Sequence, residues 1–309
     1  MVDTSPLPLP TPLAMSSTAT PSPLPIRPAK PEHPSHSSSP TTTRPHPKPS
    51  RPTPKLLLKI SDLSNPGSQD FLSAVNASEA LQSAVTSVLS HLYHSTPSSQ
   101  IPGTRSVTLV LRSIDGVAYT TGKDLDDDHK EIHFSTSYIE KIPAERKKHE
   151  ILGVVTHEMV HCWQWNAQGT APGALIEGVA DWVRLKAGFV PPHWTREAGG
   201  DWDAGYQHTG YFLDYLEGRF GVGSVRRVND GLRNCKYEEE KFWKAIFGHS
   251  VGKLWGEYEK KLKEEKEVEE EPVIVEKDDG EEVATNDREP ENKKKVKSPE
   301  EKEAPSYLV

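Results

Sequence analysis

Two imidazoles and a carboxylate lie together in His157-Glu158-Met159-Val160-His161, and a carboxylate pair follows in Glu177-Gly178-Val179-Ala180-Asp181. Residues four apart on an α-helix are offset by about 40° around the axis and about 6 Å along it. His157 and His161 can therefore present both rings to one point, at a span suited to Zn–N bonds of roughly 2.0–2.1 Å. Glu158 sits about 100° around the axis from His157 and flanks that point. A carboxylate there can hold a zinc-bound water, take its proton and pass it to a leaving amine. A catalytic zinc needs a third protein ligand and an open position. The extension HExxHxxGxxH is excluded, because Gln164 and Ala167 occupy its last two fixed positions. Glu177, 16 positions after His161, fits the other common arrangement, a carboxylate from the following helix. His193, in Pro191-Pro192-His193-Trp194, is the alternative third ligand. Asp181, one turn beyond Glu177, can accept from the free ring nitrogen of a ligand histidine and fix its tautomer.

HExxH alone is short enough to arise by chance, so the elements around it matter. Residues 56–60 (LLLKI) read as a short strand. Residues 76–93 carry an apolar helical stripe, with Asn76 as N-cap and Glu79 three residues on. Asn76-Ala77-Ser78 is thus read as a helix start and not as a glycosylation site. Residues 106–112 (SVTLVLR) alternate as a strand, residues 116–121 are expected to pair with it, and the acidic run 122–128 is expected to be a solvated loop. A fourth strand is expected at 131–139 (EIHFSTSYI), forming a cleft rim that binds a peptide by strand addition. Pro143 opens a helix running to about Trp165, since its missing N–H costs nothing at a first helical turn. A Gly/Pro turn leads to a second helix at 174–187, ended by Gly188 and Pro191-Pro192. Further helices are expected at 206–220, 225–233, 239–247 and from 251 onward. Strands with one helix, then helices alone, make an α+β domain.

The first 55 residues are rich in Pro, Ser and Thr and cannot bury enough apolar surface to fold, so they read as a disordered tail. Residues 264–309 hold 17 acidic and 8 basic side chains and read as a second, acidic tail carrying the patch Lys293-Lys294-Lys295-Val296-Lys297. That leaves one domain over 56–263, about 205 residues and large enough for a real core. Its 23 basic and 26 acidic side chains give no basic face for nucleic acid. No apolar stretch is long enough for a membrane span. The start has neither a basic n-region nor an apolar h-region, so an intracellular, cytoplasmic or nuclear protein is expected, with secretion by a non-standard route as the alternative. Two cysteines, Cys162 and Cys235, make no disulfide framework, and Cys162 reads as a small buried hydrophobe.

The stretch HEMVHCWQWNAQGTAPGALIEGVADWVRLKAGFVPPHW, with EIHFSTSYI before it and GDWDAGYQHTGYFLDYLE and FGHSVGKLWGEYE after it, resembles the plant basic secretory protein family. These are zinc peptidases that also occur in bacteria and fungi. The resemblance spans roughly residues 56–258. It implies a thermolysin-like zincin catalytic domain, in which a small mixed sheet precedes the active-site helix and a helical C-terminal half. It also implies one zinc ion per chain, held by His157, His161 and Glu177, with Glu158 as base. The chain departs from the family in lacking a signal peptide and an overall basic charge.

A tetrahedral oxyanion needs a donor besides zinc, and Tyr206 and His208 in Gly205-Tyr206-Gln207-His208 are the candidates. Trp163, Trp165, Trp182, Trp194 and Trp202 surround the motif in sequence and read as core. The expected activity is hydrolysis of peptide bonds in a peptide or protein substrate by a monomeric zinc endopeptidase. The alternative is a zinc-binding interaction protein without turnover.

Overall fold

A computed structural model describes residues 53–197 and 199–270 of the chain. The expectations for residues 1–52 and 271–309, the Lys293–Lys297 patch included, lie outside these.

Strand β1 (Lys55–Ile60) leads through helices α1 (Pro66–Ala74) and α2 (Ala77–Tyr93) to β2 (Ser106–Arg112). Asn65 starts α1 by accepting from Gly67 N at 2.9 Å, ahead of Pro66 at the first helical position. Asn76 caps α2 in the same way, accepting from Ser78 N at 3.0 Å and Glu79 N at 3.2 Å. Next come β3 (Ala118–Lys123) and β4 (Asp126–Ser135). The strand order is β1-β2-β4-β3, with β1, β2 and β4 parallel and β3 antiparallel at the edge. One face of this mixed sheet buries Val107, Leu109, Leu111, Ile132 and Phe134 completely.

Three expectations about the sheet are corrected. Residues 118–123 pair with β4 and not with β2. The acidic run is the end of the β3–β4 hairpin, not a loop. Its carboxylates are matched by Lys130 to Asp127 at 2.7 Å and by Arg105 to Asp126, so charge does not hold it off the ladder. The strand expected over 131–139 ends at Ser135, whose hydroxyl accepts from Tyr138 N at 3.3 Å and starts helix α3 (Thr136–Lys141).

Helix α4 (Lys147–His161) follows a turn over residues 143–146, so it begins later than Pro143 and stops at His161, short of Trp165. Ile151, Val155, Met159 and Val160 are fully buried on it. It packs against α2, the sheet and α5 (Gly173–Lys186), and α5 packs against α6 (Tyr206–Phe220). Gly178 permits that last approach: a Cβ there would lie 2.4 Å from Thr209 Cγ2. Helices α7 (Ser224–Gly231), α8 (Glu239–Phe247) and α9 (Val251–Glu270) complete the described chain. Helix α9 runs on past Glu264, where a tail was expected to begin. Leu262 is buried there, and Lys260–Glu264 at 3.5 Å and Lys261–Glu265 at 3.7 Å pair along the helix. Among the described residues no helix is long and apolar enough to cross a membrane.

Candidate metal centre

Helix α4 is buried almost all round, and its His157, Glu158 and His161 meet α5 and β3 at the wall of a cleft of about 990 Å³. Donor atoms of His157, His161 and Glu177 all lie within 4.8 Å of one another. His157 Nε2 is 3.3 Å from His161 Nε2 and 3.0 Å from Glu177 Oε2, and His161 Nε2 is 3.7 Å from the same oxygen. The outer ring nitrogens are both taken. His157 Nδ1 donates to Asp181 Oδ1 at 2.6 Å. His161 Nδ1 donates to Gln164 Oε1 at 3.0 Å, and Gln164 Nε2 donates to the Ile176 carbonyl at 2.9 Å, which fixes which way that amide faces. With each Nδ1 held from outside, both rings aim Nε2 at one spot beside the Glu177 carboxylate, where the nitrogen faces that oxygen or, once it has lost its proton, offers a lone pair.

Electrostatics favour a cation at that spot. Burial opposes a charged His157, but the Asp181 carboxylate, helped by Glu177 and Glu158, overcomes it and pushes the pKa up to about 10. Burial likewise raises Glu177, yet the hydrogen bonds from His157 and His161 hold it well below the usual carboxylate range. Two imidazoles and one carboxylate, converging with the rings oriented from outside by Asp181 and Gln164, are a donor set that fits a divalent zinc.

Glu158 stands beside this cluster. The Thr120 hydroxyl, from edge strand β3, lies 2.7 Å from Glu158 Oε2 and 3.0 Å from the Glu158 carbonyl. Sequence reasoning missed Thr120, because its contact spans a strand pairing that local pattern does not reveal. It missed Gln164 as well, although the three-residue spacing from His161 could have signalled it.

The basic secretory protein family, described as peptidases of plants and bacteria, has a family model that matches residues 53–258. The chain belongs to this family. No curated protein and no solved structure matches it. The family match covers both cluster helices and the edge strand, and it ends inside α9.

In this family member Tyr206 lines the cleft, its ring stacked on His157 with centroids 6.4 Å apart. Its φ of +46° is a left-handed conformation uncommon for a residue other than Gly, a kind of strain that gathers at functional sites. Burial and then the carboxylates of Glu177, Asp181 and Glu158 raise its pKa, so the hydroxyl keeps its proton. His208 does not line the cleft, which corrects its place beside Tyr206. Its Nε2 faces the Asp201 carbonyl at 3.2 Å and its ring packs on Trp255. Positions two apart on a helix point about 200° from one another, so the two could not both face the site. His193 lines the cleft but is not in the ligand cluster. Of the tryptophans, Trp163, Trp182 and Trp202 are buried, whereas Trp194 lines the cleft. The rim expected from residues 131–139 is formed instead by β3, through Ala118, Tyr119 and Thr120.

Proposed function

We propose that the chain is a single-zinc metallopeptidase with a thermolysin-like, zincin-type catalytic domain. The observation that carries this reading is the convergence of His157 Nε2, His161 Nε2 and the Glu177 carboxylate within 4.8 Å. Zinc bound there would supply a Lewis acid that polarises a peptide carbonyl and acidifies water. Asp181 and Gln164 hold the two ligand rings in the tautomer that leaves Nε2 free. Glu158 takes the proton of the attacking water and returns it to the leaving amine. Thr120 holds one oxygen of Glu158 and leaves the other for that proton. Tyr206 offers its hydroxyl proton to the carbonyl oxygen as charge develops there. A peptide or protein substrate lies along the free edge of β3, adding a strand to the sheet.

Metal analysis together with peptide digestion tests the reading, and tells it from a zinc-binding protein without turnover. Wild type should hold one zinc per chain and cleave peptides. Glu158→Gln should keep the zinc and lose about 10²–10⁴-fold in kcat, the range of general-base catalysis. A Glu158→Gln protein that cleaves as fast as wild type would sink the mechanism. Zinc without any cleavage would favour the binding protein.

A further inference from the structure

A second charged group in the cleft takes no part in holding a metal. Glu150 on α4 and Arg184 on α5 are 8% and 7% exposed, so both are buried charges. Glu150 is saturated: Oε1 accepts from Arg184 Nη2 at 2.9 Å and from the Tyr138 hydroxyl at 3.0 Å, and Oε2 accepts from Arg146 Nη2 at 3.4 Å. Two guanidiniums on one carboxylate leave a net positive charge. Arg184 is held at two further points. Its Nε donates to the Phe189 carbonyl at 3.0 Å, and Trp194 lies 5.2 Å from its guanidinium carbon. Gly153 beneath it leaves room that a side chain would fill, since a Cβ there would come within 2.7 Å of Nε.

A guanidinium has five N–H donors in a fixed fork. Among the described residues Nη1 has no hydrogen-bond partner, and it is not sealed from solvent. Arg184 lines the same cleft as His157, together with Val154, Tyr138 and Trp194, and among the described residues it is the only Lys or Arg to do so. A guanidinium held at Nε, at Nη2 and by the Trp194 ring, lining the cleft with Nη1 uncommitted, is suited to an anionic oxygen. Glu177 and Asp181, the nearest competing carboxylates on α5, are already engaged by the imidazoles.

We infer that Arg184 binds a carboxylate of the substrate through Nη1, beside the metal cluster. This rests on the peptidase reading. The carboxylate is either an acidic side chain near the scissile bond or the free C-terminus of a short peptide, and both present the same chemistry. The test uses peptides that differ only as Glu against Gln at each position flanking the cleaved bond, and a second set that differs only as C-terminal acid against amide. Cleavage is measured with zinc-loaded wild type, and binding by calorimetry with Glu158→Gln. In one of the two sets the carboxylate peptide should be favoured about tenfold or more, as expected for a hydrogen bond to an ionised group. The preference should lie in KM and in binding, not in kcat. Arg184→Lys keeps a cation beside Glu150 but loses the fork, and should cut the preference to about threefold or less.

A preference in the Glu/Gln set identifies an acidic side chain, and one in the acid/amide set identifies the C-terminus. Cleavage with no preference in either set overturns the inference and leaves the peptidase reading standing. No cleavage, with a calorimetric preference still present, overturns the peptidase reading and leaves the carboxylate site. Neither cleavage nor preference overturns both.

Discussion

Across the α4–α5 interface His157 faces Asp181 and Glu177; two turns earlier on α4, Glu150 faces Arg184 across the same interface. Both clusters bury charge, and they handle it in opposite ways. At Glu150 the charges answer one another within the protein, with every carboxylate oxygen hydrogen-bonded to a cation or a hydroxyl. At His157 the carboxylates outnumber any built-in cation, and the Nε2 atoms of two rings point at one spot. One arrangement satisfies its carboxylate from within and leaves a guanidinium surplus at the cleft, and the other becomes satisfied when a cation arrives. The same helix pair therefore carries a stabilising contact and a binding site, separated by the sign of what is left uncompensated.

The sharpest way to break the contrast is to remove a ligand from the open cluster. Glu177→Gln keeps the shape and takes away the anionic donor. Zinc affinity should fall by more than about 100-fold, beyond what outer partners of metal ligands contribute. The melting temperature without metal should change little. Equilibrium dialysis and calorimetric melting measure the two, and undiminished zinc binding would defeat Glu177 as a ligand.

The closed cluster should respond in the reverse manner. Arg184→Met leaves Glu150 buried and short of its main partner, which costs about 3–5 kcal/mol of folding stability. Denaturant unfolding reads this, and zinc content in the folded fraction should not change. Glu150 also gives the pair a pH dependence. Burial by itself raises its pKa, but the Arg184 charge and hydrogen bonds outweigh that and leave it lowered. A carboxylate with a lowered pKa stabilises the fold above the ordinary carboxylate range, and that contribution is lost as acid protonates it. The stability gap between wild type and Arg184→Met should therefore narrow as the pH falls below about 4.5.

How much of this contrast is visible in sequence follows from how local each contact is. His157, Glu158 and His161 share one helix, and Glu177 and Asp181 share the next, so helical spacing exposes them. Strand β2 matches its expected bounds through its β-branched apolar run, and helix α6 matches because Gly205 and Gly221 bracket it. The β3–β4 hairpin is hidden because its far end is acidic, and only pairing with Lys123, Lys130 and Arg105 makes those charges compatible with strand. The partnership of Glu150 with Arg184 joins residues 34 apart on two helices, and nothing in either local pattern marks it. His208 was misplaced because a two-residue helical step turns it away from Tyr206.

A smaller effect is expected from the outer support of the open cluster. Asp181→Asn keeps a hydrogen-bonding side chain but removes the charge that fixes the His157 tautomer. Zinc affinity should fall about 10–100-fold, the usual cost of losing such a partner. Competition with a chelator measures it, and an unchanged affinity would mean that Asp181 only packs.

The least severe change concerns the base and not the metal. Thr120→Val is close to isosteric and removes the hydroxyl 2.7 Å from Glu158 Oε2. Glu158 then keeps its charge and its place on α4, but one oxygen is free to turn. Peptide cleavage should drop about tenfold, the low end for a bond to an ionised group, and appear in kcat with KM little changed. Zinc content should stay at the wild-type level, because Thr120 touches no ligand in the cluster. Thr120→Ser restores the hydroxyl and should recover most of the rate. A loss in the valine variant that serine does not recover would assign the effect to packing of the β3 edge and remove Thr120 from the positioning of the base.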